Sequence, residues 1–244
     1  MQRLLRFLAV GLVSLASASA FQIPSSSTQC VVGTAKDWNN SYVTLALWQR
    51  DSGGPWKQVG PTWSGRLGRD GLVWGRGMSP APSGAKLKNE GDWRAPAGVF
   101  SIGGAWGNDA AINKKPGLFY RKVTSRDLWV EDPASKDYNK NVILDHEPST
   151  AWEKKQQMKQ DDPAHKIKLF IAHNAPPRVT PGGGSSIFFH VWRADGTKPT
   201  AGCTTMPEAK LRWLISSIDP ARNPVYVLLP ATEYQAKRAE WKLP

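Results

Sequence analysis

The sequence predicts a mainly-β fold with a few short helices. Short apolar runs rich in β-branched and aromatic residues recur along the chain between turn signals. Glycine and proline are abundant, 22 and 19 of 244 residues, as suits a sheet protein with many turns. Helical periodicity, in contrast, stands out in only two segments, both near the C-terminus.

Residues 1–20 read as a secretory signal peptide. Arg3 and Arg6 give a positive start, residues 7–15 are apolar, and Ala18-Ser19-Ala20 offers a small-residue cleavage site. The apolar run is shorter than the roughly 20 residues needed to span a bilayer. Residues 21–29 form a Ser-rich lead, expected as a loose tether. Cys30 follows Ser26-Ser27-Thr28-Gln29, which is no lipoprotein signal. One domain is expected over 30–230, followed by a C-terminal helix and tail over 231–244. No later segment is long and apolar enough to cross a membrane, so no integral span is expected after signal removal. The expected location is the periplasm, the cell wall or the exterior.

Candidate strands are 29–33, 42–48, 56–59, 98–102, 128–130, 167–172, 186–192 and 225–229. Ser52-Gly53-Gly54-Pro55 and Asp70-Gly71 mark turns. Pro207 suits a first helical turn, and Leu211, Leu214, Ile215 and Ile218 follow at helical spacing until Asp219-Pro220 ends the run. A shorter polar helix is expected over 231–241 and a third over 150–160.

The formal net charge is +12, of which the leader carries only Arg3 and Arg6. A basic exported protein is drawn to anionic surfaces such as cell-wall polymers or lipid head groups. The Lys and Arg residues are scattered with no basic run beyond pairs, which argues, with export, against nucleic acid. The twelve tryptophans read first as core and rim packing and second as a sugar-stacking surface. Four scattered histidines and two cysteines make no zinc pattern; no metal and no cofactor are expected.

The chemistry-bearing segment is 186–204. On a strand, Phe188, His190 and Trp192 share one face and Ile187, Phe189 and Val191 the other. Asp195-Gly196 supplies a turn. An antiparallel hairpin centred there sets Cys203 opposite Phe188 and diagonal to His190, about 7–8 Å apart at Cα. Gly202 removes bulk beside the sulfur. A helix starting at Pro207 would favour a thiolate nearby, and backbone N–H groups around Cys203 and Thr204 suit an oxyanion. A thiol needs a base or a lowered pKa to attack a carbonyl, and His190 is placed to be that base. On spacing alone, a buried cysteine beside a core histidine accounts for the pair more readily, because local signatures transfer poorly.

Phe189-His190 followed by Pro199-Thr200-Ala201-Gly202-Cys203-Thr204 resembles the signature of the L,D-transpeptidase (YkuD) family: a His, a loop, then Ser/Thr-x-Gly-Cys. Residues 71–75, 94–103 and 225–230 agree with one branch of it. The resemblance covers about residues 30–230. It implies the family's β-sandwich-like fold, a Cys203 nucleophile and a His190 base. It also implies acyl transfer through a thioester formed from peptidoglycan stem peptides. Ala201 stands where many members carry a second His, and Thr205 where many carry Arg or Asn. Gly202, Thr204, Thr200, Trp192 and Arg193 are candidates for the oxyanion and substrate walls. His146 and His173 are candidates to orient His190 or bind substrate, though ordinary polar satisfaction explains both. Cys30 reads as a buried small hydrophobe. Two rival readings remain open: a peptidase or amidase using water as acceptor, and a non-catalytic wall-binding protein.

Overall fold

The computed structural model describes residues 21–244, so the signal peptide expected over 1–20 lies outside the described residues. Twelve strands form among them. The first six are β1 (Gln29–Ala35), β2 (Tyr42–Gln49), β3 (Lys57–Arg66), β4 (Leu72–Trp74), β5 (Ala95–Gly107) and β6 (Tyr120–Lys122). The rest are β7 (Asp127–Trp129), β8 (Asn141–Ile143), β9 (Ile167–Ile171), β10 (Phe188–Val191), β11 (Thr204–Met206) and β12 (Val225–Pro230). The helices are α1 (Ala151–Lys155), α2 (Glu208–Ser217) and α3 (Ala231–Lys237).

Strands that are apolar at nearly every position are those covered on both faces. β12 is buried along its whole length and β1 at all but one residue. They pair in parallel, with Leu211, Leu214 and Ile215 of α2 and Tyr234 of α3 in the same apolar cluster. β2 shows the exposed–buried alternation of a strand with one wet face through its first half. The order β12-β1-β2-β3-β11-β10-β9-β5 returns to β12, because β5 also pairs with β12. The mainly-β, sandwich-like fold thus closes on itself as an eight-stranded barrel, with β4 and β6 added along β5. Closure removes the free edges an open sheet would leave.

The barrel interior holds the main core. A second apolar cluster of Trp106, Val123, Trp129, Met158, Phe170 and Phe188 is separate from it, and Cys203 packs against that cluster. Trp129 meets Phe170 and Phe188 at ring-centroid distances of 4.7 and 4.8 Å. These tryptophans therefore serve packing, as the first of the two readings has it.

Two expectations need correction here. The lead over 21–29 is no loose tether: Phe21 meets Trp241 edge-on at 5.2 Å, Ile23 is buried, and its N–H donates to the Trp241 carbonyl at 3.0 Å. Two apolar side chains in an otherwise polar stretch anchor it, and the 231–244 segment joins the same core through Trp241 and Leu243. The antiparallel hairpin between 186–192 and 199–204 is also wrong. β10 and β11 run parallel, with Phe189 opposite Thr204 and His190 opposite Thr205. The Asp195-Gly196 turn exists, but only one antiparallel bridge, Arg193–Lys198, closes it. The chain then runs past β3, where Thr200 exchanges backbone hydrogen bonds with Leu67 and Arg69.

Candidate active site

β10 alternates as a strand must. Phe189 enters the main core and Phe188 the outer cluster. Extending the parallel register by one step sets Cys203 beside Phe188, and the Phe188 N–H donates to Cys203 Sγ at 3.4 Å. Cys203 therefore keeps the neighbour and face expected of it, although the strands run the other way. The thiol donates to the Ser186 carbonyl at 3.3 Å. Ser186 has φ 56°, and its N–H is fixed by Asn139 Oδ1 at 3.0 Å. A non-glycine residue held in the left-handed region next to a thiol is strain of the kind functional sites store.

The 200–203 turn is built around Thr200. Its hydroxyl accepts from the Gly202 N–H at 3.0 Å and donates to the Cys203 carbonyl at 2.7 Å. The Cys203 N–H itself has no acceptor among the described residues. Gly202 takes φ 151°, and a side chain there would meet the Arg94 carbonyl at 2.9 Å and Lys88 Nζ at 3.1 Å.

His190 is 2% exposed. Its Nδ1 lies 2.9 Å from the Val191 carbonyl. A carbonyl can only accept, so Nδ1 carries the proton and Nε2 keeps its lone pair. Burial, opposed by that hydrogen bond and reinforced by the Arg193 and Lys168 charges, pushes its pKa down to about 4. The imidazole is thus neutral at neutral pH. His165 stacks on it at 4.7 Å between centroids. Arg193 donates to His165 Nε2 at 2.9 Å and pairs with Asp162 at 2.6 Å.

Burial pushes the Cys203 thiol above its ordinary range; the Phe188 N–H and the Lys168 and Lys88 charges pull it back only in part. The expectation that a helix start favours the thiolate is corrected on this point. α2 begins at Glu208, beyond the intervening β11, and desolvation of the sulfur outweighs the donors around it.

Cys203 and His190 line one cavity of about 290 Å³. Lys88, Glu90, Glu131, His165, Lys168 and Arg193 share its wall, as do Gly202 and Thr200. The side chains of two candidates point away from this cavity. Thr204 turns into the barrel, its hydroxyl 3.0 Å from that of Tyr226. Trp192 packs over Gly196 and is absent from the cavity lining. Lys168 and His165 escaped the sequence reading. A signal existed for Lys168, the one charged side chain in the buried run 167–171.

The remaining histidines and the other cysteine are satisfied structurally. His173 is buried, accepts from the Arg76 N–H at 3.1 Å and donates to the Gly183 carbonyl at 3.0 Å. His146 is exposed between Asp145 and Glu153, which raise its pKa by hydrogen bonding. Cys30 is fully buried in β1, and both cysteines are free. No cluster of ligand-type side chains suited to a metal occurs among the described residues. No helix among them is long and apolar enough to cross a membrane.

Residues 58–227 match the description of the YkuD family, the L,D-transpeptidase catalytic domain. The match spans most of the chain, including the barrel strands from β3 to β12 and the whole 186–204 segment. The chain belongs to this family, and the assignment supports an L,D-transpeptidase-type catalytic function directed at peptidoglycan. No curated protein and no solved structure matches it.

Proposed function

We propose that the protein is an exported cysteine acyltransferase acting on peptidoglycan stem peptides, with Cys203 as nucleophile and His190 as general base. The observation that carries this reading is the pairing within one cavity. A thiol held between the Phe188 N–H and the Ser186 carbonyl shares that cavity with an imidazole whose fixed tautomer leaves Nε2 open.

The site rests as a neutral thiol and a neutral imidazole, so the proton moves during attack. Nε2 of His190 takes the thiol proton as Sγ bonds to the donor's penultimate carbonyl carbon. The carbonyl π pair moves onto oxygen, and the free Cys203 N–H is a donor for that oxyanion. Collapse breaks the C–N bond, the departing amine takes the proton from His190, and a thioester remains. An acceptor amine then attacks the thioester, gives its proton to His190 and regenerates the thiol. Water in the acceptor's place yields hydrolysis from the same intermediate.

Intact-mass spectrometry with excess stem tetrapeptide tests the scheme. A Cys203 adduct lacking the terminal residue, removable by hydroxylamine, is expected. Cys203→Ser abolishes turnover, and His190→Ala lowers the chemical step by about 10²–10⁴-fold. Turnover of muropeptides without an adduct, with Cys203→Ser equally active, sinks the covalent mechanism. Wall binding unaffected by either substitution, with no product, marks a binding protein.

A further inference from the structure

Three cations line the cavity, and two already have carboxylate partners. Lys88 Nζ lies 2.7 Å from Asp92 and donates to the Arg94 carbonyl at 2.7 Å. Arg193 lies 2.6 Å from Asp162. Lys168 has no carboxylate within 4 Å among the described residues, Glu131 included. Its ammonium makes one hydrogen bond, to the Met158 carbonyl at 3.1 Å. An ammonium carries three donors, so two are left without a protein acceptor. The residue is only 5% exposed.

An unpaired charge in such a place is costly to a fold. Lys168 sits directly across from His190 in the β9–β10 pairing, 5.8 Å from the ring of Phe188, the residue whose N–H holds the Cys203 sulfur. Its free N–H groups therefore border the space in which a substrate meets the thiol.

We propose that Lys168 is a specificity residue that binds the free C-terminal carboxylate of the acyl donor. The inference rests on the acyl-transfer reading above. In that reading the departing residue is the last of the peptide, so its carboxylate carbon lies less than about 4 Å from the carbon under attack. The carboxylate must then enter the Cys203 cavity, where Lys168, though it feels the Glu131 charge, is the cation with no carboxylate in ion-pair contact. Binding there completes the hydrogen bonding of the ammonium and selects donors that end in a free acid. It also sets the scissile carbonyl near Sγ, because the two groups are separated by one residue's backbone.

Steady-state kinetics with two donors, the same tetrapeptide as free acid and as C-terminal carboxamide, test the proposal. The wild-type protein prefers the acid by about 10- to 100-fold in kcat/KM, as a charge-assisted hydrogen bond to a carboxylate implies. Lys168→Gln retains a donor for the Met158 carbonyl but no charge. It raises KM for the acid, changes the amide far less, and brings the ratio near one. Lys168→Arg keeps the preference. Equal use of acid and amide by the wild type overturns the proposal. So does a Lys168→Gln protein slowed equally on both donors, since a thiolate-supporting or structural role acts on the two alike. Should Lys168→Gln fail to fold, the wild-type ratio and Lys168→Arg decide. If neither donor acylates Cys203, the acyl-transfer reading itself has failed, a result distinct from equal use of both.

Discussion

Burial pushes both thiols of the chain above the ordinary cysteine range, yet only one of them meets a cavity. Cys30 is fully buried among the β1 and β12 side chains, and desolvation outweighs the nearby Arg50 charge. Cys203 is partly exposed, lines the cavity and touches a hydrogen-bond donor and an acceptor. In the native protein iodoacetamide is therefore expected to modify Cys203 and spare Cys30, as peptide mapping would show. The pH dependence follows from the raised thiol pKa. The thiolate is the reactive form, so labelling of Cys203 keeps accelerating above pH 9 without levelling off near neutrality. A plateau near pH 7 would mean a resting thiolate–imidazolium pair, contrary to the neutral pair derived above. Faster labelling of Cys30 would remove the assignment altogether. His190 takes up a proton only as pH falls toward about 4, so above that pH its ring stays neutral while the thiol is still protonated.

The β10–β11 pair shows what could be read from the chain and what could not. Face assignment was legible, because strand alternation is local: Ile187 and Phe189 enter the main core while Phe188 lies beside Cys203. Strand direction was not. Asp195-Gly196 does turn the chain, but pairing ends after one bridge, and the next residues are captured by 67–69 and β3. Those partners are more than a hundred residues away in sequence, so no local signal reports them. The same limit explains Lys168 and His165, which reach the site through β9 and the turn before it. The turn at 200–203 is more local, and Gly202 carries it. Replacement by Ala puts a methyl against the Arg94 carbonyl and Lys88 Nζ in a backbone conformation L-residues rarely adopt. Gly202→Ala is expected to destabilise the fold by about 1–3 kcal/mol. It should also slow Cys203 alkylation, since the Thr200 bonds that shape the turn shift with it. Urea denaturation and labelling rates check both. A variant with wild-type stability and reactivity would show that the turn adapts freely.

Closing the barrel leaves Cys203 on its outside, against a second aromatic cluster, and keeps several ionisable groups dry. Three of the four histidines are held neutral: His165 and His173 have pKa values down to about 3, and His190 down to about 4, each chiefly through burial. An unfolded histidine titrates near 6.5. As pH falls below that value the unfolded chain takes up protons that the folded chain refuses until pH 3–4. These three histidines therefore make stability drop with falling pH across this window and contribute no pH dependence above it. Each histidine contributes a slope of about 1.4 kcal/mol per pH unit when charged only in the unfolded chain, so three give about 4. Against a typical stability of about 5–15 kcal/mol, that is enough to unfold the protein within a few pH units. Calorimetric scans are expected to show a Tm nearly level from pH 8 to 7 and falling steeply between 6 and 4. General charge repulsion in a basic protein acts in the same direction, so a substitution must separate the two. His173→Gln can still donate to the Gly183 carbonyl and accept from the Arg76 N–H, the two bonds His173 makes. Its acid slope should be shallower by about 1.4 kcal/mol per pH unit, a third of the histidine part of the slope. An unchanged slope in that variant would mean that the buried histidines do not set the acid limit, and that repulsion among the surface cations does.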